Sequence, residues 1–239
     1  MTSKEFVRDF TEYCEKNANP EITKKYARYF KEGFESYGLT EELLKSKVES
    51  VIQDSEITLG FVFKAARELL KSRKFEFTSF ACLLTLKFIK QFNKSTFTEI
   101  SRWFDIGISN WAHTDLICSE IIGGFFLKKG IIDYSELSDW RTADNPFKRR
   151  AVPVSLIKIM KITPEIQPFL DFIEPMMMDK VRVVHQGLGW FVREAWKLHP
   201  GQVEELLLKW KNISARLIFQ YATEKMTPEQ KARFRKDKN

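Results

Sequence analysis

The chain has 239 residues, 44% of them hydrophobic and 30% charged, with a formal net charge of +7 and a pI near 9.2. This composition excludes an intrinsically disordered chain, leaves ample material for a core, and favours an acidic partner without identifying one. No apolar run approaches the roughly 18–20 residues that span a bilayer, and MTSKEFVRDF lacks the apolar core of a signal peptide. A cytoplasmic protein with no membrane partner is therefore expected.

From the N-terminus onward, segments of roughly 10–20 residues carry apolar positions at spacings of three and four, and period-two alternation is nearly absent. Gly38 after FESY predicts a helix end, and Thr40 before EELL predicts the next helix start. In EFTSFACLLTLKFIKQF the residues Phe77, Phe80, Ala81, Leu84, Phe88 and Phe92 form one apolar stripe. Ser95 before TFTEI predicts a further start. The stretch NWAHTD (110–115) places Trp111 four residues before Asp115, so a helix presents an aromatic plane and a carboxylate on one face. Its continuation, with Ile117, Ile121, Ile122, Phe125 and Phe126, is apolar nearly all round, which predicts a central helix ending at Gly130. A carboxylate in such surroundings needs a partner or a task.

Further along, Asp144-Asn145-Pro146 opens a helix that holds Arg149, Arg150 and Pro153. The proline ring crowds the carbonyl of Arg149, and arginine suits bidentate contact with phosphate or carboxylate. Capping and surface charge explain the two arginines equally well. Residues 141–161 hold six Lys/Arg (Arg141, Lys148, Arg149, Arg150, Lys158, Lys161) against Asp144 alone. The stretch 226–239 holds five against two. Either run is a solvated face or an anion-binding one. Thr163-Pro164-Glu165 predicts a start. In KVRVVHQGLGWFVREAWKLHP the wheel sets Leu188, Phe191, Val192, Ala195 and Leu198 on one side. Gln186, Trp190, Arg193, Glu194 and Lys197 fall on the other, so Trp190 is the one large aromatic on a polar face. Thr227-Pro228-Glu229 predicts the last start.

About a dozen closely joined helices result, with no dividing linker. They favour a single all-α domain over 1–239, built from stacked antiparallel helical hairpins of the HEAT kind rather than a four-helix bundle. Cys14, Cys82 and Cys118 form no CxxC pair, and His113, His185 and His199 show no ligand spacing. Neither a disulfide framework nor a metal site is expected.

NWAHTD (110–115), DNPFKRRAV (144–152) and GLGWFVREAWK (187–197), in that order, resemble the DNA alkylation repair family, the AlkD-like HEAT-repeat DNA glycosylases. RYFKEGFESYGL (28–39) looks like the family's N-terminal helix pair. The resemblance implies a right-handed α-solenoid with a concave basic face, and a monofunctional glycosylase for cationic N3- and N7-alkylpurines in duplex DNA. It implies that Asp115 acts at the anomeric carbon and that Trp111 and Trp190 line the lesion cleft. Arg150, Arg149 and Lys148 would then bind phosphate, with Arg193 and Lys197 as additional DNA contacts. It implies a monomer needing no cofactor or metal, with double-stranded alkylated DNA as partner, in the cytoplasm at the nucleoid. One departure is visible: the family's usual WDLVD is here WAHTD, with Ala112, His113 and Thr114 inside the motif. A relative that binds branched or distorted DNA without base release is the alternative, and a protein-binding helical scaffold is the third reading.

The chemistry implied is economical. Glycoside hydrolysis ordinarily needs a second carboxyl group to protonate the leaving group. A cationic alkylpurine leaves as a neutral base, so one carboxylate suffices to stabilise the oxocarbenium-like sugar.

Overall fold

A computed structural model of the chain describes residues 2–237, and these residues form helices and connecting turns without a strand. They divide into two compact units, one ending at Leu116 and the other starting at Ile117. The division falls within the helical run that begins at Trp111, not at a linker.

The first unit contains α1 (Ser3–Lys16), α2 (Pro20–Ala27), α3 (Glu41–Ile52), α4 (Leu59–Lys71), α5 (Phe75–Leu86), α6 (Lys94–Ile106) and α7 (Trp111–Leu116). Phe6, Phe10 and Cys14, spaced by four, are the buried residues of α1, and the Phe10 ring lies 3.9 Å from that of Phe80 in α5, nearly parallel. Each such buried ring contributes roughly 1.5–3 kcal/mol by leaving water. The expected stripe in α5 is present, with Phe77, Phe80, Ala81 and Leu84 buried; α5 ends at Leu86, and Phe92 is buried beyond the 3₁₀ turn Ile89–Gln91. Thr40 caps α3 as expected. The start expected at Ser95 lies two residues earlier, because the Asn93 side chain accepts from the amides of Ser95 and Thr96.

Residues 28–39 do not form a helix pair. Helix α2 stops at Ala27, and residues 30–40 run as non-helical chain. The cause is a carboxylate far along the sequence. Glu76, 1% exposed in the first turn of α5, accepts from Ser36 Oγ at 2.6 Å, Tyr37 N at 3.0 Å, Gly38 N at 2.8 Å and Leu39 N at 3.2 Å. Three successive amides wrapped round an anion cannot also serve a helix. Gly38, with φ +82°, makes the turn; a Cβ there would overlap the Asn19 carbonyl.

The second unit begins with π-helical turns, Ile117–Leu127, in which Ile117, Ile121, Ile122 and Phe126 are fully buried. The stop at Gly130 is present, in the left-handed region at φ 64°. A 3₁₀ segment, Tyr134–Thr142, precedes α8 (Pro146–Ile159), α9 (Gln167–Ile173), α10 (Arg182–Trp196), α11 (Pro200–Trp210), α12 (Arg216–Ala222) and α13 (Pro228–Ala232). Asn145 caps α8 with Pro146 in its first turn, and Thr227 forms a capping box with Gln230. Thr163 starts no helix: its hydroxyl bonds back to the Ile159 carbonyl at 2.9 Å, and α9 begins at Gln167. Helix α8 packs on α10 and on the π-helical turns, and α10 packs on α11 and α12. Lys238, part of the C-terminal basic run, lies outside the described residues.

Candidate functional site

In the first unit, Trp111 and Asp115 are one turn apart on α7, and both are half-buried. Between them, His113 and Thr114 turn inward and are buried. The Thr114 hydroxyl closes on the Asn110 carbonyl at 2.8 Å. The Asn110 amide oxygen accepts from the His113 backbone at 3.0 Å, which fixes its NH₂ group as the donor to His113 Nδ1 at 2.7 Å. The imidazole proton therefore sits on Nε2 and reaches Ser79 Oγ at 2.9 Å. The Phe75 ring lies 4.5 Å away. Burial pulls the His113 pKa down to about 3, so the ring is neutral. His113 thus secures α7 to α5, while Trp111 and Asp115 on either side of it stay half-buried.

Trp111 is held from outside its own helix. Its indole Nε1 donates to the Tyr29 carbonyl at 3.2 Å. Its ring stacks on Phe30, centroids 5.3 Å apart and planes 16° from parallel. Phe30 stacks in turn on Phe34 and meets Phe75 edge-on. These contacts come from the strap that Glu76 ties down. Sequence reasoning missed Glu76, although an acid opening an otherwise apolar helix was a visible signal.

In the second unit, Arg150 on α8 is only 5% exposed, and its Nη1 donates to the Val183 carbonyl of α10 at 2.8 Å. Gly187, one turn on from Val183, makes room for it: a Cβ there would stand 3.0 Å from Arg150 Cγ. Arg150 therefore runs along the face of α10 just before Trp190. Arg149 points elsewhere, into an ion pair with Asp179 at 2.7 Å and onto the Ala143 carbonyl at 2.6 Å. The Lys148 ammonium stands over the Trp140 ring at 5.5 Å. Trp190 is half-buried on the outward side of α10, as are Gln186, Arg193 and Glu194. Gln186, one turn before Trp190, donates to the Tyr221 hydroxyl at 2.7 Å. Arg193 and Lys197 both hold Glu194, and Arg193 also pairs with Glu224. Burial works to raise the Glu194 pKa, yet the hydrogen bonds from Lys197 and Arg193 outweigh it and keep it below the usual range.

The basic stretch 141–161 is thus largely engaged within the unit. Besides Arg149 and Arg150, Arg141 donates to the Phe172 carbonyl at 3.1 Å and covers the Phe172 ring, and Lys158 pairs with Glu120 at 3.0 Å. Leu198, expected on the apolar side of α10, is 47% exposed because the helix ends at Trp196. The three cysteines are buried thiols, and that of Cys118 donates to the Ala151 carbonyl. Among the described residues no group of three His, Cys, Asp or Glu side chains could hold a metal ion, and no helix is long and apolar enough to cross a membrane.

The protein is all-helical among its described residues, with Trp111 and Asp115 one turn apart on α7 and Trp190 on the helix whose Val183 carbonyl binds the buried Arg150. The chain belongs to the DNA alkylation repair enzyme family, which matches residues 11–226. Its fold is similar to that of a predicted DNA alkylation repair enzyme from Enterococcus faecalis, with TM-score 0.74 and 15% identity over 89% of this chain and 98% of that one. It is also similar to smu.31 from Streptococcus mutans UA159, with TM-score 0.54 and 19% identity over 78% of this chain and 92% of that one. At those identities the likeness is one of fold. No curated protein matches the chain.

Proposed function

We propose that this protein is a monofunctional DNA glycosylase that hydrolyses the N-glycosidic bond of cationic N3- and N7-alkylated purines in duplex DNA. The observation that carries the reading is the placement of Trp111 and Asp115 one turn apart on α7, both half-buried, while His113 and Thr114 between them are buried. Membership of the DNA alkylation repair enzyme family supports it.

In this mechanism the alkylated base is its own leaving group. Its positive charge is discharged as the C1′–N bond breaks, so no side chain has to protonate it. Positive charge then appears on the deoxyribose ring, and the Asp115 carboxylate stabilises it and orients the water that attacks C1′, whose proton leaves by way of that carboxylate to solvent. Trp111 and Trp190 each offer a flat, rigid surface to the sugar–phosphate chain. Arg150 supplies positive charge to a phosphate; Arg149, Arg193 and Lys197 add to the field from within their ion pairs, and Lys148 from its place over the Trp140 ring.

The test is release of 7-methylguanine and 3-methyladenine from methylated duplex DNA by wild type and Asp115→Asn. Losing one electrostatic stabiliser should slow release by about 10²–10³-fold while duplex affinity stays level or rises. Full release by the variant removes Asp115 from the mechanism. No release by either protein, with duplex binding intact, replaces the glycosylase by a non-catalytic binder of distorted DNA.

A further inference from the structure

The positive charge on this molecule is distributed unevenly between paired and unpaired side chains. The run KKYARYFK (24–31) carries Lys24, Lys25, Arg28 and Lys31 without an acid among them, although Glu21 and Glu32 flank it. Among the described residues, no carboxylate lies within 4.0 Å of any of these four cations. The 141–161 run, by contrast, has its arginines buried, paired with acid or bound to carbonyls.

Residues 24–29 are all exposed, and α2 contributes no buried residue at all. A helix gains most of its stability from an apolar face packed on something else, so a helix with no buried residue offers a surface still to be covered. Two aromatic rings lie on it, Tyr26 45% exposed and Tyr29 53% exposed. The Lys25 ammonium stands 5.6 Å over the first, and the Arg28 guanidinium 4.9 Å over the second. Cations without an acid partner, two of them held over exposed rings, with acids only at the two ends of the run, match a polyanion with repeating charge and flat apolar patches.

We infer that the exposed face of residues 24–31 is a second DNA-contact strip, gripping the phosphodiester backbone of duplex DNA through Lys24, Lys25 and Arg28. It rests on the proposal that the protein works on DNA, but not on base release. The strip leads directly to the Tyr29 carbonyl that holds the Trp111 indole, so backbone bound there is delivered to Trp111. Unpaired cations also serve this purpose better than paired ones. They release DNA counterions on binding without first losing a protein carboxylate, and each neutralised phosphate adds about 0.9 to the salt slope.

The experiment measures affinity of the full chain for a fluorescent, undamaged duplex across a salt series, with wild type, the triple variant K24A/K25A/R28A, and K128A/K129A. Lys128 and Lys129 are exposed lysines outside the strip. The triple variant should bind at least about tenfold more weakly near 0.1 M salt, with a slope shallower by about 2–3. K128A/K129A should match wild type. Unchanged affinity in the triple variant overturns the strip, and so does an equal loss per charge in K128A/K129A, which would mean only net charge matters. Preference of wild type for polyglutamate or phosphatidylserine vesicles over duplex also overturns it, reassigning the surface to an acidic protein or a membrane. Base release is scored separately on methylated DNA, so its absence would remove the glycosylase reading while the strip stood or fell on the salt series.

Discussion

The two outward tryptophans are secured in opposite ways. Trp111 is the first residue of its helical run and takes its position from a non-helical strap, through the Tyr29 carbonyl and the Phe30 ring. That strap in turn depends on Glu76, forty positions beyond Ser36. Trp190 lies deep in a fifteen-residue helix, where its bearing follows from regular geometry and from α8 and α12 packed against that helix. The first residue of a helix is held weakly by the helix itself, because the first amides have no intrahelical partner. Long-range contacts supply what regular geometry supplies at Trp190. Changes remote in sequence should therefore disturb the first tryptophan, and the second should tolerate changes beside it.

The sharpest way to break this contrast is Glu76→Gln. Removing the charge weakens four hydrogen bonds in a site closed to water, and we expect a loss of about 3 kcal/mol. Urea unfolding reads the loss directly, and near-UV circular dichroism reads the tryptophan environment. A loss under about 0.5 kcal/mol would mean that the strap holds without its anchor.

Acid probes the same half. His113 is neutral when folded, with its pKa pulled to about 3 by burial, whereas the unfolded chain titrates near its ordinary value of 6.5. Between these values the unfolded state binds the extra proton, so stability rises with pH and falls as pH drops below about 6.5. The slope approaches about 1.4 kcal/mol per pH unit, or roughly 2 kcal/mol between pH 6.5 and 5. Unfolding of His113→Asn should show a distinctly flatter pH dependence over that window. Equal slopes in the two proteins would assign the acid sensitivity to other groups.

On the second half, Arg150→Met keeps a long apolar stem beside Gly187 and removes the bond to the Val183 carbonyl. We expect a stability loss of about 1–2 kcal/mol and weaker duplex binding, measured by thermal melts and fluorescence anisotropy. Unaltered duplex affinity would make Arg150 a purely structural bridge between α8 and α10. The smallest effect belongs to Tyr221→Phe, which removes only the hydroxyl that Gln186 reaches. Below about 1 kcal/mol is expected, since water can replace it at a half-buried site. A larger loss would show that Trp190, too, leans on a distant element.

Much of this arrangement was legible beforehand where the information is local. The caps at Thr40 and Thr227, and the helix opening after Asp144-Asn145-Pro146, are read from two or three residues. Helical periodicity sets Trp111 and Asp115 on one shared face and Trp190 on the polar side of its helix. Arg150 escaped because α8 is apolar over most of its surface, so no wheel distinguishes a buried arginine from an exposed one. Residues 28–39 escaped for a different reason. Their aromatic spacing suits a helix, and only an acid in a later helix diverts their amides. The role of His113 likewise needs Phe75 and Ser79, which no local window contains.

The carboxylate knot at Glu76 has a consequence for how the chain breathes. The amides of Tyr37, Gly38 and Leu39 lie in what a ribbon drawing would show as loop, yet each is bonded to a side chain in the interior. They can exchange with solvent deuterium only when Glu76 lets go, an opening that takes the strap with it. Their protection should therefore resemble that of core helix α5, while Lys31 and Gly33, a few residues upstream, exchange as surface positions do. A protease would find the same division: vulnerable at the basic end of the strap, closed at the end where it looks most like a loop.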